Sequence, residues 1–490
     1  MPEFVGVKLT RELVLGIDIG TSSVKALFLE PNSDFFRRAE EKLSITRNGT
    51  CVEQDPEEYL SAVAKLIAKN QDLIKSVVAI GLSGQTPTVV CADENGRPTF
   101  SALVWQDNRA EIEAQELKEK FGNPMPIIGT SLPWAASACP AKMYWLSRNK
   151  PEVVNKTKWI FQPKDFVGFH MTGNPVSDAW SSKGICNVIT SSPISEVLDF
   201  VGWKDSILPQ IKQGYDSRGT VTVAGASLFG LPEGIPVSVG WSDAMTGMLA
   251  LGVMTKPNSF IITGTSAIVG TSSFLAPEDG GNLYVIPESC SPLPITYGPT
   301  QTSGGAISWL GELLGIPTDE LITLGDADTS ESVPQFLPYI AGERAPLWRN
   351  DIRGIFLEID TEHGKSSFAR SVMEGISWAE RQVVEEAERI TQQPKDEVIL
   401  GGHAGNDQRW EKTRSRTLGK KILRYEDPDT TTRGSAMLAY AMITKDLKTA
   451  FEALSISPVV VQPKSEEIEY SRLHFEKFLS AQSNLLKEKN

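Results

Sequence analysis

The sequence predicts an α/β protein of two domains built on one plan. Three observations predict it. The chain has 490 residues, and a single core stops growing near ~250–300 residues, so two or three domains are needed. Apolar runs of strand length alternate with helical periodicities over much of the chain. A motif also repeats. "LGIDIGTSSVKALFL" near the start and "FIITGTSAIVGTSSF" about half a chain later both read apolar run, Gly-Thr-Ser, apolar run. Their Gly-Thr pairs, Gly20-Thr21 and Gly264-Thr265, each open a series of strands and helices. One short echo is weak evidence; its place at both expected domain starts gives it weight.

The elements follow in order. Residues 13–30 read as a strand, a turn at Gly20 and a second strand. Asp55 and Pro56 open a helix, because proline fits the first helical position and Glu57 and Glu58 favour the first turn. Leu60, Val63, Ala64, Leu66 and Ile67 continue it at helical spacing. "SVVAIGLSG" (76–84) reads as a buried strand ending in a glycine turn. Two strands about Glu94-Asn95-Gly96 come next, then a charged helix that Gly122 ends. Residues 125–235, rich in Pro, Trp and Ser, show no clean period and read as inserted loops and helices. "PVSVGWSDAMTGMLALGV" reads as a short strand, a turn at Gly240 and a helix of small residues. The second half closes with a long helix over 365–390, the strand "EVILGG", a helix near 406–419 and the small-residue helix "RGSAMLAYAMI".

Composition narrows the function classes. Charged residues make up 22% and apolar ones 40%, ordinary for a water-soluble globular chain. The net charge of −13 argues against nucleic acid or an anionic membrane as partner, since both need a basic face. The five cysteines are scattered without a C-x-x-C, which favours a reducing compartment over a disulfide framework or a cysteine zinc site. The four histidines are not paired at ligand spacing. The N-terminus makes a poor signal peptide and no run approaches ~20 apolar residues, so a cytoplasmic location without a membrane span is expected.

Four stretches carry candidate chemistry. A glycine turn exposes backbone N–H groups and neighbouring hydroxyls add donors, so each Gly-Thr-Ser turn makes a phosphate cradle; alone, each is also just a tight turn. Asp18 is wrong for touching phosphate directly but right for holding Mg²⁺, often through water. In "GWSDAMTG", Asp243 sits at a strand-to-helix junction, where it either caps the helix or faces a substrate as a general base. "GLSGQTPT" and "VWQDNRA" offer Gln85, Thr86, Trp105, Asp107 and Arg109. An aromatic face packs on sugar C–H groups while amides and carboxylates bond hydroxyls. The competing reading makes Trp105 core and Asp107–Arg109 a surface pair. In "LGGHAGND", Gly401 and Gly402 allow close backbone approach, and Asn406 bonds a base or ribose or caps the next helix. His403 reads as a turn residue rather than a catalyst.

In this order and spacing, "GIDIGTSSVKA", "GLSGQ…WQDNR", "GWSDAMTGMLALGV", "TGTSA", "GERAPLWRNDIRGIFLEI" and "LGGHAGNDQRW…RGSAMLAYAM" resemble the FGGY family of carbohydrate kinases over nearly the whole chain. The resemblance implies two ribonuclease-H-like domains of the actin and sugar kinase superfamily with a central cleft. Residues 1–252 would form the N-terminal sugar side and 253–490 the C-terminal nucleotide side, and domain closure would exclude water. By matched position it implies Asp243 as catalytic base and Asp18 as Mg²⁺ holder. It places Thr21, Ser22, Lys25, Gly264 and Thr265 near the ATP phosphates, and Gly304, Gly402 and Asn406 at the adenosine. It also allows a homodimer. "FQPKDFVGFHMTGNPVSDAWSSKG" is similar to the xylulokinase-like branch in its "PKD…TG…D…S" pattern. The chain departs from xylulokinases, which read G-Q-M-H-G, at Gly84-Gln85-Thr86-Pro87-Thr88. It also lacks the Arg-Glu pair of glycerol kinases there, so glycerol is disfavoured. His403 replaces the third glycine of the usual G-G-G. The expected activity is ATP-dependent phosphorylation of a primary hydroxyl of a small sugar or polyol, with a ketopentose such as xylulose first. The rivals are another sugar, polyol or sugar acid as substrate, or a non-catalytic ATP- and sugar-binding regulator.

Overall fold

β1 (Leu13–Ile19) is buried along its whole length, as a strand covered on both faces must be. It lies in a computed structural model that describes residues 11–131, 133–402 and 407–488. β1 pairs antiparallel with β2 (Ser23–Leu29), and β2 with β3 (Phe36–Lys42). After α1 (Pro56–Ala68) the chain returns as β4 (Val77–Gly84), parallel to β1. Asp55 caps α1 by accepting from the Glu57 N–H at 3.0 Å, with Pro56 in the first turn. Next come α2 (Cys139–Asn149) and α3 (Pro163–Thr172). β5 (Pro236–Ser238) and β6 (Trp241–Ser242) both run parallel to β4, and α4 (Asp243–Ala250) follows directly.

The second sheet repeats this order. β7 (Ser259–Thr263) pairs antiparallel with β8 (Ala267–Ser272), and β8 with β9 (Ile295–Pro299). α5 (Gly304–Leu314) and α6 (Lys365–Thr391) lead to β10 (Glu397–Gly402), parallel to β7. α7 (Gln408–Leu418) then leads to β11 (Lys421–Arg424), parallel to β10. The order β3-β2-β1-β4-β5 thus recurs as β9-β8-β7-β10-β11. The echo of Gly20-Thr21 in Gly264-Thr265 marks the same hairpin in two sheets of one plan.

The chain divides into two compact units, one of residues 1–255 with 429–455, the other of 256–428 with 456–490. The first therefore takes in α8 (Thr430–Thr444), which the sequence reading placed in the C-terminal domain. The reason is steric. Leu15, Ile17, Ile80 and Leu82 face one way, into a core with Tyr59 and Leu66 of α1 and Phe166 of α3. The opposite face is made shallow by Gly16 and Gly81, which pair across β1 and β4. A Cβ on Gly16 would stand 2.1 Å from the Thr432 carbonyl, and one on Gly81 1.7 Å from that of Ser435. The small-residue helix α8 lies in that groove.

The stretch 125–235 is more ordered than its composition suggests. Trp134, Cys139, Met143, Leu146, Val197 and Trp203 form a core of their own. The "PKD…D…S" pattern becomes a buried charge network: Lys164 Nζ meets Asp165 at 2.6 Å and Asp178 at 2.9 Å, and Ser177 donates to Asp165 at 2.6 Å.

Candidate active site

The functional side chains of the first unit gather at the ends of β1, β4 and β6. Asp18 is the next-to-last residue of β1 and faces α8. Ser83 donates to its Oδ1 at 2.7 Å and Thr431 to its Oδ2 at 3.2 Å, while Ser435 donates to Ser83 at 2.7 Å. Burial raises the Asp18 pKa; the Ser83 bond, the through-space charge of Lys25 and the Thr431 bond pull the other way. Lys25 is the cross-strand partner of Asp18 in the β1–β2 register. Ser22, at the turn between these strands, is exposed.

Asp243 begins α4 immediately after β6, whose Ser242 pairs with Gly84 at the tip of β4. The helix-cap reading fails in its details: Ser242 is the capping position, and the Asp243 carboxylate accepts from the adjacent Ala244 N–H at 2.7 Å rather than from an N–H two or three residues on. Its carboxyl is pushed up to about 7, by burial first and by the charge of Asp18 second, against smaller opposing effects from the Ala244 N–H and Lys183. A carboxylate tuned to neutrality is suited to taking a proton.

Thr21 joins the segments that carry Gln85 and Trp105. Its Oγ1 donates to Gln85 Oε1 at 2.9 Å and accepts from Trp105 Nε1 at 2.9 Å. Gln85 Nε2 donates to Gln54 at 2.7 Å, and Tyr59 donates to the same Gln54 oxygen at 3.0 Å. Gln85 is buried, Thr86 half-buried, and Trp105 is 43% exposed, so the core reading of Trp105 gives way to a partly exposed side chain. Two placements differ from expectation. The Thr21 hydroxyl serves Gln85 and Trp105, leaving one lone pair for anything else. Asp107 is fully buried, its oxygens taken by the Val52 N–H at 2.6 Å and by Arg109, so it braces the hairpin from within.

In the second unit, Gly264 N donates to Ser266 O at 2.7 Å and closes the turn between β7 and β8. Gly304 N donates to Gly264 O at 3.0 Å, and Ser303 N and Gly305 N donate to Thr265 O at 2.9 and 3.0 Å. The start of α5 is thereby tied to the turn, with the Gly304 amide engaged and Thr265 exposed. Gly402 pairs with Thr263 at the end of β10; a Cβ there would lie 2.2 Å from the Thr263 carbonyl, and its φ of +87° also favours glycine. Gly264, Thr265, Gly304 and Gly402 therefore converge on one turn. Asn406 and His403 lie outside the described residues. Sequence reasoning missed Gln54, Tyr59, Ser83, Thr431 and Ser435; Thr431 reaches Asp18 across 413 positions of chain.

The model of the FGGY family of carbohydrate kinases, N-terminal domain, matches residues 13–250, and that of its C-terminal domain matches 260–443. The chain is 27% identical to xylulose kinase of Staphylococcus epidermidis over 94% of each chain. It is 26% identical to gluconokinase of Bacillus subtilis over 74% of each. Among solved structures it resembles a Brucella ovis xylulose kinase, with a TM-score of 0.88 at 22% identity over 97% of this chain and 100% of that one. It also resembles Plasmodium falciparum glycerol kinase with ADP, with a TM-score of 0.86 at 20% identity over 96% and 98%. The chain belongs to the FGGY family of carbohydrate kinases and is an ATP-dependent sugar kinase.

Proposed function

We propose that this kinase transfers the γ-phosphoryl group of ATP to a primary hydroxyl of a small sugar or polyol, a ketopentose such as xylulose first among them. The observation that carries the reading is Asp243. It is a half-buried carboxylate with a pKa near 7, following a strand beside the Gln85 end of β4. Asp243 accepts the hydroxyl proton as that oxygen attacks the γ-phosphorus, and the bond from phosphorus to the ADP oxygen breaks. The partly exposed Trp105 packs on the sugar carbons. Thr21 holds Trp105 and Gln85 in register. The turn at Gly264-Thr265 receives the phosphates of the nucleotide, and Gly304 and Gly402, packed against that turn, lie toward the adenosine.

Asp18 fits a role beside a divalent cation. Its buried carboxylate accepts from two neutral hydroxyls, and burial raises its pKa, so a cation nearby would offset a charge that the protein leaves costly. Mg²⁺ held there through water would neutralise charge on the phosphates. Chelation with EDTA is expected to abolish turnover and added Mg²⁺ to restore it. Asp18→Asn should raise the Mg²⁺ concentration that gives half the maximal rate.

The relatives named xylulose kinase support a ketopentose. The relative named gluconokinase supports a second reading, a sugar acid. A panel of ketoses, polyols and aldonates assayed for sugar-dependent ADP release separates them. Release with none of the panel would defeat both.

A further inference from the structure

Lys142 stands in the first turns of α2 with its side chain completely buried. Buried ammonium groups ordinarily meet a carboxylate. Among the described residues Lys142 instead donates to three backbone carbonyls: Val104 at 2.7 Å, Pro87 at 3.1 Å and Leu103 at 3.3 Å. Three N–H bonds thus meet three acceptors.

Those carbonyls belong to the two segments that carry the sugar-side residues. Val89 and Leu103 exchange both backbone hydrogen bonds, each 3.0 Å, and form a ladder rung between the segments. From that rung one segment runs back through Pro87 and Thr86 to Gln85. The other runs forward through Val104 to Trp105. Lys142 occupies the place of the next rung and bonds both sides. At the far end the Thr21 hydroxyl bonds Gln85 and Trp105. The gap between the segments is therefore fixed at two points, by one ammonium and one hydroxyl.

We propose that Lys142 is a positioning residue that sets the separation of Gln85–Thr86 from Trp105, and through it the affinity and choice of sugar. The proposal rests on the reading of these residues as the sugar site. Burial pulls the Lys142 pKa down to about 8; Cys139 on the same helix and Asp107 on the hairpin raise it, and Arg109 lowers it further. The clamp therefore loosens in mild alkali, when the ammonium gives up its proton and one donor.

The test compares kcat, sugar KM and ATP KM for wild type, Lys142→Met and Lys142→Gln, with the sugar the wild type phosphorylates best. Lys142→Met is expected to raise the sugar KM about tenfold or more while the ATP KM stays within about twofold, because only the sugar segments are displaced. Lys142→Gln keeps N–H donors one bond shorter and should fall between. In the wild type the sugar KM should climb between about pH 7 and 9 and the ATP KM should not; in Lys142→Met that climb should vanish. A folded variant whose two KM values change together, or not at all, overturns the proposal. If neither variant folds, a wild-type sugar KM that stays flat over that range overturns it. A wild type without sugar-dependent turnover defeats the underlying reading itself, a different result from turnover with an unmoved KM ratio.

Discussion

At Asp243 the chemistry and the stability pull in opposite directions. Burial and the Asp18 charge lift its pKa to about 7, well above the ordinary value of 3.8. The folded protein therefore holds a proton here that the unfolded chain releases, and stability falls as pH rises from about 4 to 7. Asp243→Asn should raise the melting temperature of the unliganded protein at pH 8, a gain that shrinks toward pH 5. The same substitution should lower kcat by about 10²–10⁴-fold, the range for losing a general base. In the wild type, kcat/KM should climb with pH through about 7. Thr21 gives a second residue-scale prediction. Its hydroxyl bonds Gln85 and Trp105, so Thr21→Val should raise the sugar KM about tenfold and the ATP KM much less. Steady-state kinetics with each substrate varied decides it, and equal effects on both KM values would return Thr21 to the phosphates. Asp243, Gln85 and Trp105 stood out as candidates because their residue types suit proton and sugar chemistry at turns. The Thr21 and Asp107 bonds were not legible, because hydroxyls and carboxylates bond equally well to ligand or protein and only coordinates choose.

Among the elements, α8 on the β1–β4 face shows how a helix is selected by shape. Thr432, Ser435 and Ala436 meet Gly16 and Gly81 so closely that no Cβ fits. Gly81→Ala should cost at least about 1–3 kcal/mol, the usual penalty for overpacking, read as a lowered denaturation midpoint at unchanged slope. An unchanged midpoint would mean that the helix yields easily and does not define the Asp18 face. The strand-turn-strand hairpins, α1 with its Asp55 cap and the 27-residue α6 were all readable from periodicity and end signals. α2 and α3 were not. Lys142, Lys164 and Asp165 break their apolar patterns, yet all three are buried, because Lys142 meets carbonyls of a distant hairpin and Lys164 and Asp165 satisfy each other together with Asp178 and Ser177.

For the whole molecule, the repeated sheet order explains why one chain carries two Gly-Thr-Ser turns. The echo of Gly-Thr-Ser predicted that repetition, since a tight turn between two apolar strands constrains sequence strongly. The return of 429–455 to the first unit was not predicted, because nothing local in "RGSAMLAYAMI" says which sheet its small residues fit. It has a consequence: a fragment of residues 1–255 leaves the Gly16–Gly81 groove bare and should not unfold cooperatively on its own, whereas the full chain should. Circular dichroism during denaturant titration checks it. The central claim, a sugar phosphorylated with Asp243 as base, is tested most directly by one assay. Wild type and Asp243→Asn are incubated with ATP, Mg²⁺ and each member of a ketose, polyol and aldonate panel, and phosphorylated sugar is measured. The account predicts at least one phosphorylated product from the wild type and its near-complete loss in the variant. No product from any member, or an Asp243→Asn protein that keeps near wild-type turnover, would contradict it.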